Sequence, residues 1–258
     1  MGADGQLAPD WADGACYRSL LGADRSLIAW EWLRRDPGYR AAASRALQVE
    51  ADGRAGLADD PGQWGLLAFE PPAATVPDAR PLWSADVHAA VLKVDAVPPG
   101  AGEPFDPVRF AAHSRFFESA KGRQHLLIGD GLRTIRIDIM SGSIASGPVE
   151  LRYRLSGLAA AHQPLMTLRR LLALWHSGRF CRSLHPPEAR SRRWVHLLRA
   201  HDALAAGAGQ REIAVVLLDA DAHEPRWRSR WPSVRTRAQR LVRGARSMAS
   251  GGYLELLR

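Results

Sequence analysis

The sequence predicts an α+β fold in three regions: a helical N-terminal module over residues 1–60, a small β-rich middle over 61–160 and an all-α C-terminal domain over 161–258. Three observations predict it. Apolar residues recur at helical spacing around residues 25–33 and again throughout the chain beyond Pro164, while alternating residues and an Asp-Gly turn mark strands between them. Charge divides in the same way: residues 1–150 carry 15 basic and 20 acidic side chains, net −5, whereas residues 151–258 carry 20 and 7, net +13. With 258 residues, 46% of them hydrophobic, the chain is long and apolar enough to bury real cores.

In the N-terminal module Asp24 is expected to cap a helix beginning at Arg25, with Leu27, Ile28, Trp30 and Leu33 on its apolar side and Pro37-Gly38 stopping it. Residues 46–63, rich in Ala, Gly and Asp, read as a connector, and the proline-rich stretch 64–112 reads as strands and loops. HLLIGD at 125–130 and LRTIRIDI at 132–139 form a hairpin about Asp130-Gly131, a pair that tolerates positive φ. VELRYRLSG at 149–157 adds a third strand, giving a small meander.

Beyond Pro164 four helices are expected. The first, about 165–177, places Leu165, Leu168, Leu171, Leu172 and Trp175 on one stripe. The second starts at Pro186-Pro187, a favoured opening for a helix, and turns Trp194, Leu197, Leu198 and His201 inward. QREIAVVLL forms a short third helix, DADAHEPRWRSRW a long turn, and a fourth helix runs from Pro232 to about Ser250, closed by Gly251-Gly252.

The basic C-terminal half is the footprint of a polyanion binder, because neutralising phosphates releases counterions. The fourth helix concentrates it. With Val234 at zero on a 100° wheel, Ala238, Leu241, Val242, Ala245 and Met248 fall within about 80° of it, while Thr236, Gln239, Arg240, Arg243 and Arg246 fill the arc from about 120° to about 240°. Five arginines without one acidic residue between 232 and 254 repel each other unless an external anion is present. Duplex DNA supplies that anion.

The helix at 210–218 followed by this one reads as a helix-turn-helix variant whose turn, about thirteen residues, is longer than the usual three or four. Placing such a helix in the major groove points to Ser233, Thr236, Arg237 and Arg240 as base readers and to Arg243 and Arg246 as phosphate contacts. Arg235 and Arg237 flank the arc that holds Gln239, and Arg226, Arg228 and Arg230, interleaved with Trp227 and Trp231, add backbone contacts from the turn.

The stretch from LRRLLALWHSGR at 168 through REIAVVLL at 211 to SVRTRAQRLVRGARSMASGGYLELL at 233–257 resembles the DNA-binding domain of RovC-like transcriptional activators. PDW at 9–11, Tyr17 and AWEWLRRDPGYR at 29–40 resemble the transcriptional-regulator-like module found ahead of it. The resemblance implies contact with promoter DNA by the helix holding Ser233, Arg235, Thr236, Arg237, Arg240 and Arg243. It also implies homo-oligomers and a family that includes activators and antiactivators controlling excision of integrative and conjugative elements.

Signals for catalysis are weak. His176, Cys181 and His185 lack a fourth ligand at useful spacing, and Asp219, Asp221, His223 and Glu224 read as a solvated turn. No GxSxG elbow, phosphate-binding glycine loop or HExxH helix occurs. Only Cys16 and Cys181 are present, in no CxxC pair, and the longest apolar runs, such as IAVVLL, fall far short of the roughly 20 residues of a membrane span. The N-terminus has neither the basic start nor the apolar stretch of a secretory signal. The expectation is a cytoplasmic, nucleoid-associated, sequence-specific transcriptional regulator without cofactor, metal or enzymatic activity. It would activate mobile-element or secretion genes, with the acidic N-terminal part serving oligomerisation or contact with RNA polymerase. The alternative is an antiactivator-type module that binds a related regulator, a role that requires apolar anchors between the charges of its helical face.

Overall fold

Helices α1 (Arg25–Leu33) and α2 (Pro37–Ala51) follow a 3-10 segment (Gly14–Gly22) in the computed structural model, which describes residues 9–51, 59–218 and 231–258. Every residue of α1 from Ser26 to Leu33 is buried, Glu31 included, because SLIAWEWL is apolar nearly all round and a helix of that kind runs through a core instead of lying on it. Pro37 does not stop a helix, as expected from sequence, but starts one. Its missing N–H is harmless in a first turn, and the preceding Asp36 accepts from Tyr39 N at 2.7 Å, so α2 runs on to Ala51, into the start of the stretch read as a connector. Asp24 does precede α1, yet its carboxylate accepts from Thr134 N at 2.6 Å and leaves the helix end uncapped by its side chain.

The middle of the chain forms one five-stranded sheet from β1 (Leu92–Val97), β2 (Ser114–Glu118), β3 (Gln124–Gly129), β4 (Thr134–Ser141) and β5 (Glu150–Arg154), in the order β2-β3-β4-β1-β5. The expected hairpin is β3–β4, with its turn at Asp130–Arg133, where Gly131 has φ +94° and Asp130 Oδ1 accepts from the N–H groups of Leu132 and Arg133. The expected meander is not formed. β5 pairs antiparallel with β1, and β1 lies parallel to β4 between them; Leu92, Val94 and Ala96 bury one face of β1, and a strand within the core needs a hydrogen-bonded neighbour on each edge.

The α+β reading of three separate regions is therefore corrected: the protein is a mixed α/β fold with a central five-stranded sheet and helices at both ends. The C-terminal region is helical but not a self-contained all-α unit. α3 (His162–Ser177) covers the sheet, and its Leu171 and Leu174 join Phe105, Phe110 and the strand residues in one apolar cluster. α4 (Ser191–Ala205), α5 (Gln210–Leu218), α6 (Pro232–Ala249) and a closing 3-10 segment (Gly252–Leu257) share a second cluster with the N-terminal helices, in which Trp30, Trp32 and Leu33 meet Leu197, Leu198, Val242, Tyr253 and Leu257. α4 begins after Pro186-Pro187 rather than at it: Glu188 forms a two-bonded pair with Arg25, and the turn closes by Ser191 N donating to Glu188 O at 3.0 Å. No helix of the described residues is long and apolar enough to cross a membrane.

Two details of the sheet region have measurable consequences. Gly142, just after β4, has φ +75°, and a Cβ there would fall inside the Ala96 carbonyl oxygen of β1, so only glycine fits. His88, ahead of β1, is held down at about 4 by burial and then by the Arg136 guanidinium. It stays neutral in the folded protein while the unfolded chain's histidine protonates below its ordinary value of 6.5. Stability from this group is full above that value and is lost as pH falls towards 4. Between pH 7 and pH 4 the wild type should lose about 3 kcal/mol more than His88→Gln, read from urea midpoints across that range.

Candidate nucleic-acid interface

Helix α6 opens at Pro232, pre-set for a first helical turn, and ends at Ser250, after which Gly251 takes φ +98°. Ala238, Val242 and Ala245 are buried, with Val234, Leu241 and Met248 half-buried beside them, so the apolar flank of the wheel faces α4 and α5. Contact with α4 is close: a Cβ on Gly244 would come within 2.7 Å of Leu197 Cδ2. The opposite flank is free. Ser233, Arg235, Thr236, Arg237, Arg240, Arg243, Arg246 and Ser247 are all exposed, and Gln239 is half-buried.

Among the described residues no carboxylate pairs with any of the five α6 arginines. Thr236, Arg240, Arg243 and Ser247 form a line at helical spacing that runs about 16 Å along the axis. Thr236 Oγ1 donates to Pro232 O at 2.9 Å, so its hydroxyl proton is taken within the helix, and only its lone pairs and methyl group face outward. Such a side chain can accept from an amino group on a base edge or touch a thymine methyl, but it does not donate. Arg226, Arg228 and Arg230 lie outside the described residues, as does the Asp219–Asp221–His223–Glu224 cluster.

The platform beneath α6 is tied to the N-terminal helices by buried charge. Asp202 of α4, 3% exposed, accepts from Arg35 Nε at 2.7 Å and Nη2 at 2.9 Å and from Tyr17 Oη at 2.6 Å. Arg35 Nη1 in turn reaches Glu31 Oε2 at 2.6 Å, and Glu31 Oε1 accepts from Val76 N at 3.1 Å. Burial opposes the charge on Asp202, yet hydrogen bonds from His201, Arg35 and Tyr17 and the Arg35 charge outweigh it and hold the carboxyl below its usual range. Arg199 of α4 adds hydrogen bonds to the Trp11 and Ala12 carbonyls.

Sequence reasoning missed this network. Its one local signal is Glu31 set inside SLIAWEWL, a carboxylate on a helix with no polar side to carry it. His176 stands in the last turn of α3 and is exposed, whereas His185, beyond the connection that holds Cys181, is buried edge-on against Phe180, and Cys181 Sγ lies 3.1 Å from Ser183 Oγ. Among the described residues no three His, Cys, Asp or Glu side chains are grouped to hold a metal.

Residues 154–258 match a family model described as a T6SS transcription factor DNA-binding domain, RovC_DNA-bd, and residues 10–67 match one described as a proteobacterial transcriptional regulator-like domain. These are regulator and DNA-binding families, not enzyme families. No curated protein matches the chain. The exposed arginine flank lies in the first match, and the buried network joins the two, with Glu31 and Arg35 in one and Asp202 in the other. With both domains in this order, the chain matches a RovC-like DNA-binding transcriptional regulator.

Proposed function

We propose that the protein reads a specific operator with the exposed flank of α6 and acts as a transcriptional activator. The observation that carries this reading is the exposed row of five arginines, unmatched by any carboxylate of the described residues, on a helix within the matched DNA-binding domain. Ser233, Thr236, Arg237 and Arg240 lie towards the N-terminal half of α6 and face base edges; Arg235, Gln239, Arg243 and Arg246, with Arg228 and Arg230 ahead of them in the sequence, hold the phosphates. Secretion genes are the proposed targets, supported by the T6SS transcription factors of the matched family, and mobile-element genes are the second class to test.

Binding-site selection from random duplexes at two salt concentrations tests the assignment. With roughly six phosphates neutralised, the log–log salt slope should be about −5. Arg240→Ala should cost about 1–3 kcal/mol and relax base preference, whereas Arg246→Ala should weaken all sequences alike. Equal, sequence-blind losses from both would overturn direct readout.

The antiactivator reading needs apolar anchors on the same flank, and α6 exposes none there. Self-association is a further part of the proposal. Tyr153 on the edge strand β5 and Leu172 on α3 leave apolar surface exposed at a cavity of about 250 Å³, and Leu155 and Leu165 are exposed as well, the kind of face a second copy covers. The acidic N-terminal part is the proposed contact for RNA polymerase, and the proposed location is the cytoplasm, on the nucleoid.

A further inference from the structure

A polar cavity of about 130 Å³ opens where the start of α1, β4, α3 and the closing 3-10 segment meet, away from the exposed flank of α6. That volume holds about four waters, or one small ion with its immediate shell. Its lining is rich in donors that lack acceptors. Arg136 is 2% exposed; its Nη2 meets Asp138 Oδ1 at 2.7 Å and its Nη1 the Ile137 carbonyl at 2.6 Å, but its Nε has no partner among the described residues. Arg170 gives one hydrogen bond, from Nε to Leu184 O at 3.0 Å, and meets no carboxylate among the described residues. The buried Nδ1 of neutral His88, a donor or an acceptor according to tautomer, is also without a partner there.

The acceptors in the same wall are mostly engaged, Asp24 Oδ1 excepted, which lies 3.7 Å from His185 Nδ1. Asp24 Oδ2 takes Thr134 N, and Glu188 takes two hydrogen bonds from Arg25 at 2.7 and 3.0 Å. The guanidinium groups of Arg25, Arg136, Arg170 and Arg258 outnumber the carboxylates of Asp24 and Glu188 in the lining, which disfavours a cation, and a neutral apolar ligand would leave the buried Arg136 Nε unmatched. An acceptor with negative charge satisfies them, since charge-assisted hydrogen bonds from guanidinium to an oxyanion are the strong ones. We propose that this cavity binds a small oxyanion, a carboxylate or a phosphate group, between Arg136 and Arg170. This site is distinct from the DNA surface. Its occupant bridges α1, β4 and α3, and thus the two matched domains and the sheet between them.

Calorimetric titration of the full chain with phosphate, with acetate and with succinate, at constant ionic strength set by chloride, tests the proposal. The expected result is saturable binding of at least one of these anions, weakened tenfold or more by Arg170→Gln and unchanged by Arg243→Ala; the anion that binds identifies phosphate or carboxylate as the source. Gln163→Leu, which removes a neighbouring amide from the same wall, gives a second reading if Arg170→Gln melts without ligand. Absence of binding by all three anions would mean a water-filled cavity and overturn the proposal. So would binding lost in Arg243→Ala and kept in Arg170→Gln, which would place the anions on α6; operator affinity measured on the same variants fails or survives independently of either result.

Discussion

Asp202→Ala is expected to lower the unfolding free energy by about 3–5 kcal/mol, measured by urea denaturation of the full chain at neutral pH. The substitution leaves the Arg35 guanidinium, 5% exposed, with only half of its counter-charge, and it removes the acceptor of the Tyr17 hydroxyl. Arg35→Ala strands Asp202 in the same interior and leaves Glu31 with Arg34 as its remaining guanidinium partner, and it should cost a similar amount. Because both changes break one network, their combination should cost well below the sum of the two. A loss under about 1 kcal/mol for either single variant would show that water reaches the pair and that the two matched domains are not joined there. Acid should have a related effect: the folded carboxyl titrates below its ordinary value, so its contribution is present at neutral pH and fades as pH falls through and below the usual carboxylate range.

Gly142→Ala is the second large effect expected, about 2–5 kcal/mol from a left-handed backbone and an overlap with β1 together. Gly178, which closes α3, supplies the control. Its φ of +69° is close to the +75° of Gly142, but no atom lies within 4 Å of a Cβ built there. Gly178→Ala should therefore show the conformational part alone, about 1–2 kcal/mol. The difference between the two measures the overlap with the Ala96 carbonyl where β1 and β4 shift register. Equal losses would mean that the strands part there at no cost.

What could be read in advance follows the range of the interactions. α6 was legible because its pattern is local: Val234, Ala238, Leu241, Val242 and Ala245 recur every three or four residues, and the arginines fill the gaps. α5 and the β3–β4 hairpin were legible for the same reason. Pro37 was misread because a proline both ends helices and begins them, and the side chain that decides, Asp36 bonded to Tyr39 N, is ordinary in sequence. β5 was assigned to the wrong neighbour because proximity in the chain favours β4, whereas the buried face of β1, more than fifty residues away, takes it. The Arg35–Asp202 pair spans 167 positions, and nothing local to either residue announces the other.

The apolar cluster that unites Trp30 and Leu33 with Leu197, Val242 and Leu257 has a consequence for engineering and for inheritance. A fragment cut at the edge of the DNA-binding match would carry raw hydrophobic surface where the front helices had been, and a front half expressed alone would carry its mirror. Shuffling either piece onto a foreign partner should yield aggregates instead of a new regulator, so the two halves are expected to travel between genomes as a single cassette.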